Sequence, residues 1–235
     1  MEKLIPNQSY HIFTHANGFE NIFKEDENYR FFLEKYRFYI NPIAETYSYC
    51  LMPNHFHLVV RIRRKEVIEE LIRSKSNFAA THFSNTDNFS KVSFDFGKVP
   101  VVNSDRISDE DIEKFLSKQF SNLFSSYTQS FNRMYKRRGS MFIKNFKREV
   151  ILDKEYFLNA IVYTHRNPIH HGFCTAYTDW SHTSYCEITS QKSEIVEVQK
   201  LLKVFGSKGL FVEEHQKNLA KFNQPTELDA PFSLP

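Results

Sequence analysis

Residues 55–62 read His-Phe-His-Leu-Val-Val-Arg-Ile, and this octet constrains the fold more than any other stretch of the chain. It follows Met52-Pro53-Asn54, a turn signal. Side chains alternate along a strand, so His55 and His57 share one face while Phe56, Leu58 and Val60 share the other. An apolar strand face must be buried against a second layer. The expected arrangement puts helices over Phe56, Leu58 and Val60 and leaves the two histidines on an open sheet face.

The rest of the chain supplies matching elements. Residues 9–15 (SYHIFTH) and 45–51 (ETYSYCL) are rich in β-formers and read as strands. Residues 25–40 carry acids early and apolar residues at helical spacing, which predicts a helix, and another begins at 65–74. Residues 75–108 are rich in Ser, Asn and Asp and read as a polar insertion or long loop. A helical stretch over 109–135 breaks at Arg138-Gly139, and a fourth strand is expected over 140–150. Asp153 is placed to cap a helix that runs to about His165 and stops at Pro168. Residues 187–221 read as a small helical tail, and the last dozen residues as loose. The fold class is therefore α+β, a mainly antiparallel sheet with helices on one face, with residues 1–186 as the main domain and 187–235 as the tail.

No stretch approaches 18 apolar residues, so no membrane contact is expected. Cys50, Cys174 and Cys186 form no CxxC pair and read as reduced thiols, which points to a cytoplasmic protein. The formal net charge of +3 is too small to argue for nucleic acid. Its distribution says more. Between Phe131 and Arg148 stand Arg133, Lys136, Arg137, Arg138, Lys144, Lys147 and Arg148, with no acid among them. Basic groups interleaved with aromatic rings suit single-stranded DNA, neutralising phosphates while rings stack on bases. The same pattern also describes a solvated helix end and an edge strand protected by lysines.

Two further groups carry candidate chemistry. His55 and His57 stand where two imidazoles can share one metal ion, although ordinary alternation on a half-exposed strand gives the same pattern. Tyr163 and Asn167 lie four apart and share a helix face. A phenol can attack phosphorus, and an amide oxygen one turn away can ligate a hard cation. A half-buried core tyrosine and an Asn-Pro stop account equally for that pair.

Taken together the phrases resemble a family. MPNHFHLVV is similar to the His-hydrophobe-His strand of single-tyrosine HUH transposases, and RRGSMFIKNFKREV to the segment that follows it. YTHRNPIHHGF resembles the block that carries the nucleophile, DWSHTSY a phrase after it, and YHIFTHANG with NIFKEDENYRFFL the usual opening. The resemblance covers about residues 8–186 and is strongest to REP-associated tyrosine transposases, relatives of the insertion-sequence-200 enzymes. It implies a ferredoxin/RRM-like HUH fold, Tyr163 as nucleophile, and His55, His57 and Asn167 around Mg²⁺ or Mn²⁺. It implies cleavage and rejoining of single-stranded or hairpin DNA through a 5′-phosphotyrosine, with a possible homodimer in which a partner supplies the tyrosine. Tyr127 and Tyr135 have no Asn or Gln four residues on, and Tyr156 is excluded less firmly. The alternatives are a domesticated hairpin-binding protein without transposition activity, a replication initiator or relaxase, and an RNA-binding sheet module. Relaxases usually carry the tyrosine before the histidine strand, whereas here it follows.

Overall fold

The computed structural model describes residues 2–82 and 106–222. The chain runs β1 (Ser9–His15), α1 (Asp26–Tyr39), β2 (Ala44–Met52), β3 (His55–Ile62), α2 (Lys65–His82), α3 (Asp109–Met134), β4 (Lys147–Ile151) and α4 (Lys154–His170). The tail adds α5 (Tyr185–Ser190), α6 (Val198–Phe205) and α7 (Lys208–Phe222). The strands form one sheet in the order β2-β3-β1-β4, every neighbouring pair antiparallel. The α+β class and the antiparallel sheet are as expected.

β1 and β3 are the two central strands, and their register sets His15 opposite His55 and Phe13 opposite His57. Alternation then divides the sheet. One face carries Tyr10, Ile12, Phe56 and Leu58, all buried under α1 and α3. Phe56 packs on Phe32 of α1 at 5.2 Å and on Phe124 of α3 at 5.8 Å between ring centroids. Burying a side chain of that size contributes about 2–3 kcal/mol, so this face drives the collapse.

The opposite face carries His11, Phe13, His15, His55 and His57, and it is not open. Helix α4 crosses it, with Phe157 against Tyr47 of β2 and Tyr163 against His57 of β3. The reason lies in α4 itself. Ala160, Ile161 and Val162 are buried, and a helix with that much apolar surface needs packing partners on more than one side. Some come from the sheet, and others from α7, which lies behind α4.

Three boundaries differ from the sequence reading. Helix α4 continues through Pro168 to His170. It ends at Gly172, whose φ of 72° supplies the left-handed turn. There Phe173 N–H donates to the Pro168 carbonyl and Gly172 N–H to that of Ile169. A proline in the last turns forfeits one hydrogen bond, and burial of Ile169 beyond it keeps the helix going. The fourth strand shrinks to five residues, because Asn145 adopts a left-handed φ of 63° just before it. Helix α2 runs on to His82, into the expected insertion, most of which (83–105) lies outside the described residues, as do 223–235 at the end of the tail. Among the described residues no helix is long and apolar enough to cross a membrane, and all three cysteines are free thiols.

Candidate active site

The turn Met52-Pro53-Asn54 delivers β3 so that His55 and His57 project towards α4. The Asp153 carboxylate caps the start of α4 by accepting from Tyr156 N–H at 2.7 Å. Because α4 runs past Pro168, Asn167 is an interior helical residue rather than a helix end. It therefore sits one turn below Tyr163 on the face that meets β3.

The side chains converge. His55 Nε2 lies 2.9 Å from Asn167 Oδ1. Tyr163 stands edge-on to His57, with ring centroids 5.6 Å apart at 89°, and edge-on to His11 at 5.9 Å. His55 and His57 are perpendicular at 5.3 Å. All four expected residues thus meet within one chain.

Burial sets the protonation states. It holds His57 well below the ordinary imidazole value, helped by His11, His55 and other nearby rings. Burial also brings His55 down to about 4, against a hydrogen bond to Asn167 that opposes the shift. Both rings are neutral at pH 7, as metal ligation requires. Burial raises the Tyr163 phenol above its usual value, opposed by Asn167 and Arg166. The phenol is therefore protonated at neutral pH and a weak nucleophile unless its oxygen is polarised or its proton accepted.

The donor set can be tested against a hard divalent cation. Among the described residues no three His, Cys, Asp or Glu side chains gather as a metal site, so the candidate set is two imidazoles and an amide. His55 has amide oxygens at both ring nitrogens, Asn54 Oδ1 at 2.7 Å from Nδ1 and Asn167 Oδ1 at 2.9 Å from Nε2. A neutral imidazole carries one proton, so one of these contacts opposes two lone pairs. Asn167 Nδ2 is buried without a partner. Two arrangements relieve the conflict: rotation of the Asn167 amide, or a cation between the lone pairs of His55 Nε2 and Asn167 Oδ1. The converging lone pairs suit a divalent cation, offering two borderline nitrogen donors and one hard oxygen.

Sequence reasoning missed part of the site. His15 stacks on His55 at 4.7 Å, and His171, the residue capping the end of α4, meets His55 at 5.2 Å. His11 Nε2 lies 3.0 Å from His57 Nδ1. The signal for His11 and His15 was present in YHIFTH, where they alternate with Phe13 as His55 and His57 do with Phe56. Knowing that these two faces coincide required the strand pairing.

The basic segment separates into two groups. Arg133, Lys136, Arg138, Lys144 and Lys147 are exposed. Arg137 and Arg148 are engaged within the fold. Arg137 pairs with Glu20 and donates to Asn132 and to the carbonyls of Gly139 and Ser140. Arg148 projects under the sheet, donating to Ser117 at 3.1 Å and pairing with Glu113 at 3.5 Å. Arg63, beyond the histidines on β3, is likewise tied to Glu45 and Glu197. The rival tyrosines have other hydrogen-bond partners. Tyr127 is buried and donates to the Ile22 carbonyl, Tyr135 bonds Glu25, and Tyr156 donates to Glu149.

No protein-family model matches the chain, and no curated protein sequence matches it. Among solved structures it is similar to a REP-associated tyrosine transposase bound to a REP hairpin, with a TM-score of 0.51 at 11% identity. The likeness covers 81% of this chain and 84% of that one. At that identity it establishes a shared fold.

Proposed function

We propose that this protein is a DNA transposase or nickase that cuts and rejoins single-stranded DNA at hairpin repeats, with Tyr163 as nucleophile. The observation that carries the reading is the meeting of Tyr163, His55, His57 and Asn167 on one helix–sheet contact within a single chain. The fold likeness to a hairpin-bound transposase supports it independently.

His55, His57 and Asn167 would hold the cation. When bound, Mg²⁺ or Mn²⁺ polarises a scissile phosphate and neutralises its developing charge. The helix holds Tyr163 rigidly, which fixes the line along which its oxygen meets phosphorus. As the Tyr163 Oη–phosphorus bond forms, the bond from phosphorus to the 3′ oxygen breaks. The phenolic proton is lost and the departing 3′ oxygen gains one, so the step is neutral overall. The 5′ side stays on Tyr163 as a phosphotyrosine, and a 3′-hydroxyl from another strand reverses the sequence without ATP. Arg133, Lys136, Arg138, Lys144 and Lys147 offer exposed charge to the DNA backbone.

The test is adduct mapping. The protein is incubated with a single-stranded hairpin DNA and Mg²⁺ or Mn²⁺, then denatured. A covalent adduct should form and map to the peptide holding Tyr163, and Tyr163→Phe should form none while binding the hairpin normally. An adduct on Tyr127, Tyr135 or Tyr156 overturns the assignment. Hairpin binding with no adduct leaves a DNA-binding protein without transposition activity.

A further inference from the structure

The two histidines of β3 can ligate a cation only through a nitrogen that carries no proton, and a neutral imidazole has two ways to place its single proton. Side chains around the site bear on that choice. Glu149 Oε2 lies 3.8 Å from His11 Nδ1, an ion-pair distance rather than a hydrogen bond. His11 Nε2 lies 3.0 Å from His57 Nδ1. Tyr156 Oη donates to the same Glu149 oxygen at 3.1 Å and steadies the carboxylate.

We propose that Glu149 and His11 form an outer relay that keeps the His57 proton on Nδ1 and so leaves His57 Nε2 as an open lone pair for the cation, with Asn54 doing the same for His55. The inference rests on the reading of His55 and His57 as ligands and deepens it.

The argument is one of tautomers. A lone pair on His11 Nδ1 would face the carboxylate, so the proton belongs there. His11 Nε2 is then an acceptor, and the 3.0 Å contact requires His57 Nδ1 to donate. His57 Nε2 is left bare. With the opposite tautomer of His11, its Nε2–H would donate to His57 Nδ1 and force the His57 proton onto Nε2, closing the ligand position. The carboxylate decides between the two. At His55, a proton on Nδ1 donates to Asn54 Oδ1 at 2.7 Å and leaves Nε2 bare in the same way. Partners behind a metal-bound imidazole commonly fix its tautomer and orientation. Here they lie across three adjacent strands. Glu149 is directly opposite His11 in the β4–β1 ladder, and His11 is diagonal to His57 across β1–β3. A hydrogen-bonded sheet holds such neighbours at fixed spacing, so the relay is pre-formed.

The experiment reads tautomers and metal affinity, not cleavage. Long-range proton–nitrogen correlation spectra of the ¹⁵N-histidine-labelled, metal-free protein assign the proton on each ring. His55, His57 and His11 should all carry it on Nδ1. In Glu149→Leu the His57 proton should move at least partly to Nε2, and calorimetric Mn²⁺ affinity should fall roughly 10- to 100-fold. Glu149→Gln keeps an acceptor oxygen and should restore both the tautomer and most of the affinity. His57 protonated on Nε2 in the wild type overturns the relay without any variant having to fold, as does a folded Glu149→Leu with unchanged Mn²⁺ affinity. Absence of Mn²⁺ binding overturns the relay together with the metal site. Expected tautomers and Mn²⁺ binding without DNA cleavage would keep the relay and discard the nuclease reading. Cleavage with the His57 proton on Nε2 would do the reverse.

Discussion

His165 Nδ1 lies 2.9 Å from His215 Nε2, with both rings buried between α4 and α7. The chain of hydrogen bonds has one direction. His215 Nδ1–H donates to the Phe211 carbonyl at 2.7 Å, so its Nε2 accepts from His165. His165 Nε2 then accepts from Ser184 Oγ at 2.7 Å. Ser184 is fully buried, so this serine–histidine contact has no access to a substrate, while the His165–His215 contact ties the tail to the site helix.

That chain predicts acid sensitivity. Burial brings His215 down to about 4, against a hydrogen bond to the Phe211 carbonyl that raises it. The unfolded chain takes up this proton at about pH 6.5, and the folded protein only near the lower value. Stability from this group is therefore complete above about pH 6.5 and is lost as pH falls towards 4. The urea midpoint should drop between pH 7.5 and pH 5. His215→Leu should cost about 1–3 kcal/mol at pH 7.5, because His165 Nδ1–H loses its acceptor. The variant should also lose less between the two pH values than the wild type, and an equal loss would clear His215 of the effect.

Arginines 137 and 138 are neighbours with different work. Arg137→Ala should lower stability by about 1–3 kcal/mol, since it frees carbonyls and Glu20 around the Gly139 turn. Arg138→Ala, at an exposed site, should stay within about 0.5 kcal/mol. For hairpin DNA the order reverses. Combined Arg138→Glu and Lys144→Glu should weaken binding and flatten the plot of log affinity against log salt by about 0.7–0.9 per lost phosphate contact. Titrations at two salt concentrations check this, and unchanged affinity would remove both residues from the DNA contact.

Gly172 stops α4 two residues after His170. Its Cβ would meet nothing within 4 Å, so Gly172→Ala isolates the backbone cost of φ 72°. That cost should be about 1–2 kcal/mol, read as a lower thermal midpoint. Fraying would begin in the turn that holds Asn167, so hydrogen exchange of the last α4 amides should accelerate before that of the first turn.

Asn167→Ala removes the oxygen 2.9 Å from His55 Nε2. Mn²⁺ affinity should fall while the fold persists, because the deletion also removes a buried amide nitrogen that has no partner. Calorimetry with equal affinities for wild type and variant would take Asn167 out of the donor set.

The local periods of the chain were legible in its sequence. Alternation in HFHLVVRI put His55 and His57 on one face, and the spacing of Tyr163 and Asn167 put them on one helical stripe. Both follow from backbone geometry within a few residues. The tertiary structure decided what those faces meet. Burial of apolar residues on both sides of α4 laid Tyr163 over the histidines and closed a face that alternation alone left open. Strand register brought His11, His15 and Glu149 to the site from segments at least 40 residues before His55 or more than 90 after it, matters no local period encodes. Packing likewise engaged Arg137 and Arg148, which sequence could not separate from their exposed neighbours. Burial of Ile169 carried α4 through Pro168, because burying apolar surface beyond the proline outweighs the single hydrogen bond it forfeits.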